Sequence, residues 1–265
     1  MKYCRYELEN GSSYRLVEML AEQEMVTRPI DLPLERRRRA SQQDLRNLTP
    51  QPLNDAKLLA PVTPSKIVCV GRNYREHAKE LGNEAPTEPL IFLKPPSSLN
   101  SPGAPIRRPK ISKRVDFEGE LGVVIAKTCS YMHDDEPVRP YILGYTCVND
   151  VTARDLQQKD SQWTRAKGFD TFCPVGPVVS NEPDPWAGLE LATRVNGEIR
   201  QQGNTRDFIF PIDVLIRYIS RIMTLNPGDL IATGTPAGVG PLNAGDLVEV
   251  TVEAIGTLAN VVVDE

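Results

Sequence analysis

Histidine is scarce in this chain: two residues, His77 and His133, among 265. A three-histidine zinc centre is therefore excluded, and a metal bound here would take oxygen ligands, which favours Mg²⁺, Mn²⁺ or Ca²⁺. Cysteine is sparse as well. Cys4, Cys69, Cys129, Cys147 and Cys173 are odd in number, widely spaced and form no CxxC pair. They fit the reduced thiols of a cytoplasmic protein, not a disulfide framework or a zinc knuckle. No apolar run approaches the ~20 residues of a membrane span, and residues 1–7 lack the apolar core of a secretory signal. Absent too are the phosphate loop GxxxxGK[ST], the nucleophile elbow GxSxG and the zinc motif HExxH. Neither sign of charge dominates: 31 Lys and Arg against 35 Asp and Glu give a net −4, which argues against a general nucleic-acid binder.

What is present reads as an ordinary globular chain, 40% hydrophobic and 25% charged, of a length for one or two domains. Residues 1–62 form a charged, glycine-poor stretch read as a small N-terminal subdomain. It has helical spacing over 14–24 and 34–48, and the run Arg36-Arg37-Arg38-Arg39 fits a solvated helix face or, less well, a phosphate contact. From residue 63 to 265 short apolar runs separated by Gly and Pro predict a β-rich domain. Strands are expected over 66–70, 90–93, 115–126, 141–148, 175–179, 189–195, 198–202, 230–233, 247–253 and 257–263. Asn196-Gly197 marks a hairpin turn. A helix is expected between Pro211 and Leu225, where Ile212, Leu215, Ile216, Ile219 and Ile222 share one face. The proline-rich stretch 95–109 reads as a surface loop.

Four places could carry chemistry. In Val115-Asp116-Phe117-Glu118-Gly119-Glu120-Leu121 the acids alternate with apolar residues, so Asp116, Glu118 and Glu120 share one strand face. Either that face is solvated, or the carboxylates converge on a cation that removes their repulsion. Asp150 ends the apolar run 141–148 and is a turn residue or a third oxygen ligand, with Thr152 as the N-cap of a following helix. After the strand ending at Gly71, His77 and Glu80 lie at i and i+3 of a short helix bounded by Gly82. They form a surface pair, or a base whose pKa the carboxylate raises. Lys167 stands alone in an aromatic stretch, and Gly234-Thr235-Pro236-Ala237-Gly238 offers backbone amides that could hold an anion.

In order along the chain, six segments resemble the fumarylacetoacetate hydrolase family over roughly residues 65–263. They are Gly71-Arg72-Asn73-Tyr74 with His77 and Glu80, Phe92-Leu93-Lys94-Pro95, Asp116-Phe117-Glu118-Gly119-Glu120-Leu121, Asn149-Asp150-Val151-Thr152-Ala153-Arg154-Asp155 with Gln157, Lys167-Gly168-Phe169-Asp170 with Cys173-Pro174, and Thr233-Gly234-Thr235-Pro236-Ala237-Gly238-Val239. The resemblance implies an α+β, β-rich mixed β-sandwich roll, a homodimer and a Mg²⁺ or Mn²⁺ site held by Glu118, Glu120 and Asp150. It implies His77, Glu80 and Lys167 as catalytic residues, the first two on a mobile lid helix. Arg72, Asn73, Gln157, Gly234 and Thr235 become substrate contacts. The expected activity is metal-dependent hydrolysis of a C–C bond in a 2,4-dioxo acid of the acylpyruvate type. Isomerisation or decarboxylation of a hydroxymuconate-type acid or oxaloacetate is the alternative at the same site. A non-catalytic binding protein, using Arg36–Arg39 on nucleic acid, ranks below both. The partner is thus a small acid, with neither nucleic acid nor membrane, and the compartment the cytoplasm.

Overall fold

A computed structural model describes residues 1–9, 11–30, 32 and 49–265. The helix expected over 34–48 and the run Arg36–Arg39 lie outside the described residues. The principal elements are β1 (Lys2–Leu8), β2 (Gly11–Leu20), β3 (Gln23–Pro29), β4 (Ile67–Gly71), α1 (Arg75–Glu80), β5 (Leu90–Lys94), β6 (Val115–Phe117), β7 (Gly119–Ile125) and β8 (Ile142–Asn149). They continue with α2 (Arg154–Lys159), α3 (Thr164–Lys167), β9 (Cys173–Ser180), β10 (Glu190–Val195), β11 (Glu198–Asn204), α4 (Ile212–Ile222), β12 (Leu230–Ala232), β13 (Leu247–Val252) and β14 (Gly256–Asp264).

A large sheet runs β3-β2-β1-β9-β8-β7-β12-β4-β5, antiparallel except where β12 meets β4. A second sheet runs β11-β10-β13-β14 and closes on a parallel pairing of β14 with Ile106–Arg108. The strand period of two divides β7 between two cores. Leu121, Val123 and Ile125 enter the one shared with Ile212, Leu215, Ile216 and Ile219 of α4 and with Leu191 and Val250 of the second sheet. Val124 enters the other, with Cys69, Val148, Cys173 and Ala232. This is the β-rich, multi-sheet architecture the sequence predicts, with the helices few and short. All five cysteines are buried and free.

Four expectations are corrected. Residues 14–24 are not helical but belong to the β2–β3 hairpin, in which Leu20 pairs with Gln23. The turn is made by Ala21 and Glu22 at φ 48° and 66°, neither of them a residue that advertises a left-handed turn. The strand predicted over 115–126 breaks at Glu118, because β6 pairs with Thr152–Ala153 and Gly240–Pro241 in a small sheet of its own while β7 joins the large one. Thr152 is consequently a strand residue opposite Asp116, and the residue before α2 is Ala153. The stretch 95–109 is no simple surface loop either: Ser98 and Ile106 are fully buried.

Pro211 stands one place before the first helical residue of α4 and fixes its entry. The N-terminal strands continue the large sheet directly, Lys2 pairing with Ser180 and Tyr3 with Val179 across the β1–β9 seam.

Candidate active site

The break between β6 and β7 builds the site. Gly119 must be glycine there, since a Cβ would lie 2.0 Å from Thr193 Oγ1 on the second sheet. Its N–H donates to Gln201 Oε1 at 2.9 Å, and the Glu118 N–H donates to Asn149 Oδ1 at 3.0 Å. The two tethers aim Glu118 and Glu120 toward Asp150, whose own N–H donates to the Glu118 carbonyl at 2.8 Å. One ligand oxygen from each of Glu118, Glu120 and Asp150 lies within 4.8 Å of the others. All three side chains are buried, as is Asp116, so the solvated-face reading fails.

Their partners are cations. Lys167 Nζ donates to Glu118 Oε2 at 2.8 Å and to Asp150 Oδ2 at 2.6 Å. Lys94 Nζ donates to Asp150 Oδ1 at 2.6 Å and to the Val151 carbonyl at 3.1 Å. Arg154 donates to Glu118 Oε1 at 2.6 Å and to Gln157 Oε1 at 2.6 Å. Lys167 is therefore not the one fixed positive charge of the site. Lys94 and Arg154 stand in segments that carry the resemblance but receive no role there, although a lysine closing the apolar strand 90–94 is itself a signal that an acid waits nearby.

Glu120 is the acid left short. It accepts a hydrogen bond from the Gly234 N–H at 2.8 Å, and burial, with Asp150 and Glu118 close by, pushes its carboxyl well above the usual range. Burial opposes ionisation of Glu118 as well, but Lys167, Arg154 and His77 hold it below the usual range. Asp116, Glu118 and Asp150 each meet at least one cation, from Lys94, Lys167, Arg154 and the half-exposed Arg114, whereas Glu120 has no ion-pair partner among the described residues. Three converging oxygen donors, one of them without a cationic partner, fit a hard divalent ion.

A cavity of about 200 Å³ opens over the triad, lined by Arg72, His77, Arg154, Gln157, Lys167 and Thr235 among others. Phe92 and Trp163 pack edge-to-face at 5.2 Å on its wall, with Lys167 Nζ 5.0 Å from the Phe92 ring. Thr235 is fixed by a bond to the Gly119 carbonyl at 2.9 Å and by Gln201 Nε2 at 2.7 Å. Arg72 enters the cavity from a left-handed backbone, φ 58°, a strained conformation of the kind found at ligand sites.

Helix α1 brings His77 to the same cavity, its Nδ1 3.4 Å from Glu80 Oε2. Burial lowers the His77 pKa, and Glu118 and Glu80 offset only part of this; the expected rise is reversed. Glu80 also accepts from the Gly238 N–H at 3.1 Å. The glycine-rich amides thus hold acidic side chains of the protein itself: Gly234 donates to Glu120 and Gly238 to Glu80. Two expected substrate contacts are engaged within the protein. Asn73 is fully buried and spends its amide on Phe210 and Thr233 backbone groups, at 2.8 to 3.2 Å, and Gly234 gives its N–H to Glu120.

Behind the triad the thiols of Cys69 and Cys173 share the β7 face that carries Val124. Burial, reinforced by Asp150, raises both, Cys173 to about 12 and Cys69 well above its ordinary value.

The model of the fumarylacetoacetate (FAA) hydrolase C-terminal domain matches residues 66–263. The chain belongs to the fumarylacetoacetate hydrolase family. Among its relatives is oxaloacetate tautomerase YisK of Bacillus subtilis, 44% identical over 225 residues, 78% of this chain and 73% of that protein. Another is 2,4-didehydro-3-deoxy-L-rhamnonate hydrolase of Sphingomonas sp. (strain SKA58), 45% identical over 203 residues, 72% of this chain and 71% of that protein. The solved structure of 5-carboxymethyl-2-hydroxymuconate delta-isomerase from Mycobacterium smegmatis matches over 100% of both chains at 41% identity, with a TM-score of 0.85. This fumarylacetoacetate hydrolase relative therefore stands among enzymes named for isomerisation and for hydrolysis.

Proposed function

We propose that the protein is a divalent-metal-dependent enzyme that interconverts the keto and enol forms of a 2-oxo acid, with Mg²⁺ or Mn²⁺ at Glu118, Glu120 and Asp150. The observation that carries this is the convergence of three buried carboxylates, a lysine and an imidazole on one cavity. A divalent ion held by the triad would supply Lewis-acid polarisation of the substrate's ketone. The chain's own residues do the rest. For Lys167, burial is outweighed by Asp150 and Glu118, so its ammonium stays charged above the ordinary lysine value. It stabilises negative charge developing on a substrate oxygen instead of taking a proton. From ketone to enol, His77, kept neutral by burial, accepts the proton from the carbon beside the ketone while the oxygen takes one up; in reverse the oxygen loses its proton and His77 returns one to carbon. Gln157 and Thr235 orient the acid, and Arg72 meets its far end.

Names among the relatives favour isomerisation over the hydrolysis that ranked first on sequence. Hydrolysis of an acylpyruvate C–C bond stays as the second reading, favoured by the relative named as a hydrolase and by the His77–Glu80 pair, which could deprotonate a water. A homodimer and a cytoplasmic location belong to the same proposal. With Mg²⁺ present, the enzyme should speed loss of the enol of oxaloacetate, seen in the ultraviolet, and chelation should abolish the effect. Release of acetate from acetylpyruvate, with no effect on the enol, would move the assignment to hydrolysis. No acceleration with any acid of a 2-oxo and 2,4-dioxo panel would sink both.

A further inference from the structure

Asp116 is an acid of the site that the triad does not use. It is fully buried, yet both of its oxygens are turned toward guanidinium groups. Oδ1 accepts from Arg114 Nε at 2.8 Å, and Oδ2 accepts from Arg114 Nη2 at 3.1 Å and from Arg154 Nε at 2.9 Å. Arg154 in turn carries a different partner on each edge: Asp116 on Nε, Glu118 on Nη2 and Gln157 on Nη1. Because a guanidinium is rigid and planar, fixing one N–H direction fixes the others. The outer arginine is itself held. Its carbonyl accepts from the Arg154 N–H at 2.8 Å, and Asp155 ties down the loop before it through Ser112 Oγ at 2.6 Å and the Lys113 N–H at 3.0 Å.

We propose that Asp116 is a positioning residue that sets the plane of the Arg154 guanidinium, so that one side chain orients Glu118 on the metal side and Gln157 on the substrate side. This rests on reading the cavity as a metal-dependent 2-oxo acid site. Without Asp116, Arg154 is free to close on Glu118 with two N–H groups and occupy the lone pairs an ion needs. It then lets go of Gln157.

The test reads binding, not turnover. Mn²⁺ affinity is measured from the paramagnetic resonance of the free ion. Oxalate, which has no proton to lose from carbon, is titrated calorimetrically onto the Mn²⁺-loaded protein. Asp116→Asn should weaken both by about 10-fold, as expected when the support of a metal ligand is removed. Arg154→Lys should do the same although it keeps the charge. Arg114→Ala, at a position 52% exposed, should weaken oxalate binding by roughly threefold, the scale of an exposed ion pair, with an unchanged melting temperature.

A role of charge alone predicts a different pattern for Asp116→Asn: weaker Mn²⁺ but tighter oxalate, because a negative charge is gone. That result, or wild-type affinity for both probes, overturns the proposal. If Asp116→Asn does not fold, Arg114→Ala decides, and wild-type oxalate affinity there overturns it. A wild-type protein that binds no Mn²⁺ would instead bring down the metal reading and this role with it. Wild-type binding of both probes without turnover would remove only the proposed reaction.

Discussion

His77 is 4% exposed and 3.4 Å from Glu80, and its burial outweighs Glu118 and Glu80 in setting its proton affinity. The neutral ring is the form that accepts a proton, so a pKa below 6.5 extends the working range toward acid. We expect the acid limb of kcat/KM to be centred below 6.5; an acid limb centred above 6.5 would exclude His77 as the base. His77→Ala should lose about 10²-fold in turnover, the usual scale of general-base catalysis, with Mn²⁺ affinity unchanged because the ring is no ligand. At this scale the sequence was most readable for acids. Strand parity put Glu118 and Glu120 on one face, and the end of an apolar run marked Asp150. Lys94 escaped notice because its partner is 56 residues away, and nothing local separates a buried lysine from a solvated one. Asp116 was grouped with the other acids by the same parity, and only the break at Glu118 turns it toward the arginines.

Helix α1 is six residues long and has no side-chain cap at its start, too short to be stable by itself. Packing and the Glu80–Gly238 contact hold it over the cavity. Glu80→Ala should therefore raise amide exchange across residues 75–81 by roughly tenfold, the worth of a hydrogen bond to a charged group, and leave exchange in β7 and β8 unchanged. Exchange that stays at the wild-type level would mean the contact holds nothing. Elements with strong local signals were legible, such as α4 from its apolar face and the β10–β11 turn at Asn196-Gly197, where φ is 53° and 81°. The β2–β3 hairpin was not. Its apolar residues also satisfy helical spacing, and pairing of β2 with β1 decides between the two.

On the scale of the molecule, the order of strands in a sheet depends on partners distant in sequence, and no local pattern encodes it. The join of β1 to β9 is of this kind. Removing residues 1–62 would strip β9 of its neighbour and uncover the surface on which Tyr3 and Cys4 are buried. We expect the shortened chain to melt at least ~10 °C lower and to self-associate through the open strand edge. Calorimetry and size-exclusion chromatography would show it. A melting point equal to that of the full chain would make the N-terminal strands a dispensable attachment. The burial of the thiols would bear on which ion the proposed site takes. Sulfur ligates as thiolate, and burial together with Asp150 keeps the protons on Cys69 and Cys173. An ion reaching this cavity would meet carboxylate oxygens and the His77 ring but no thiolate, so the fold withholds the sulfur ligands that most favour soft ions.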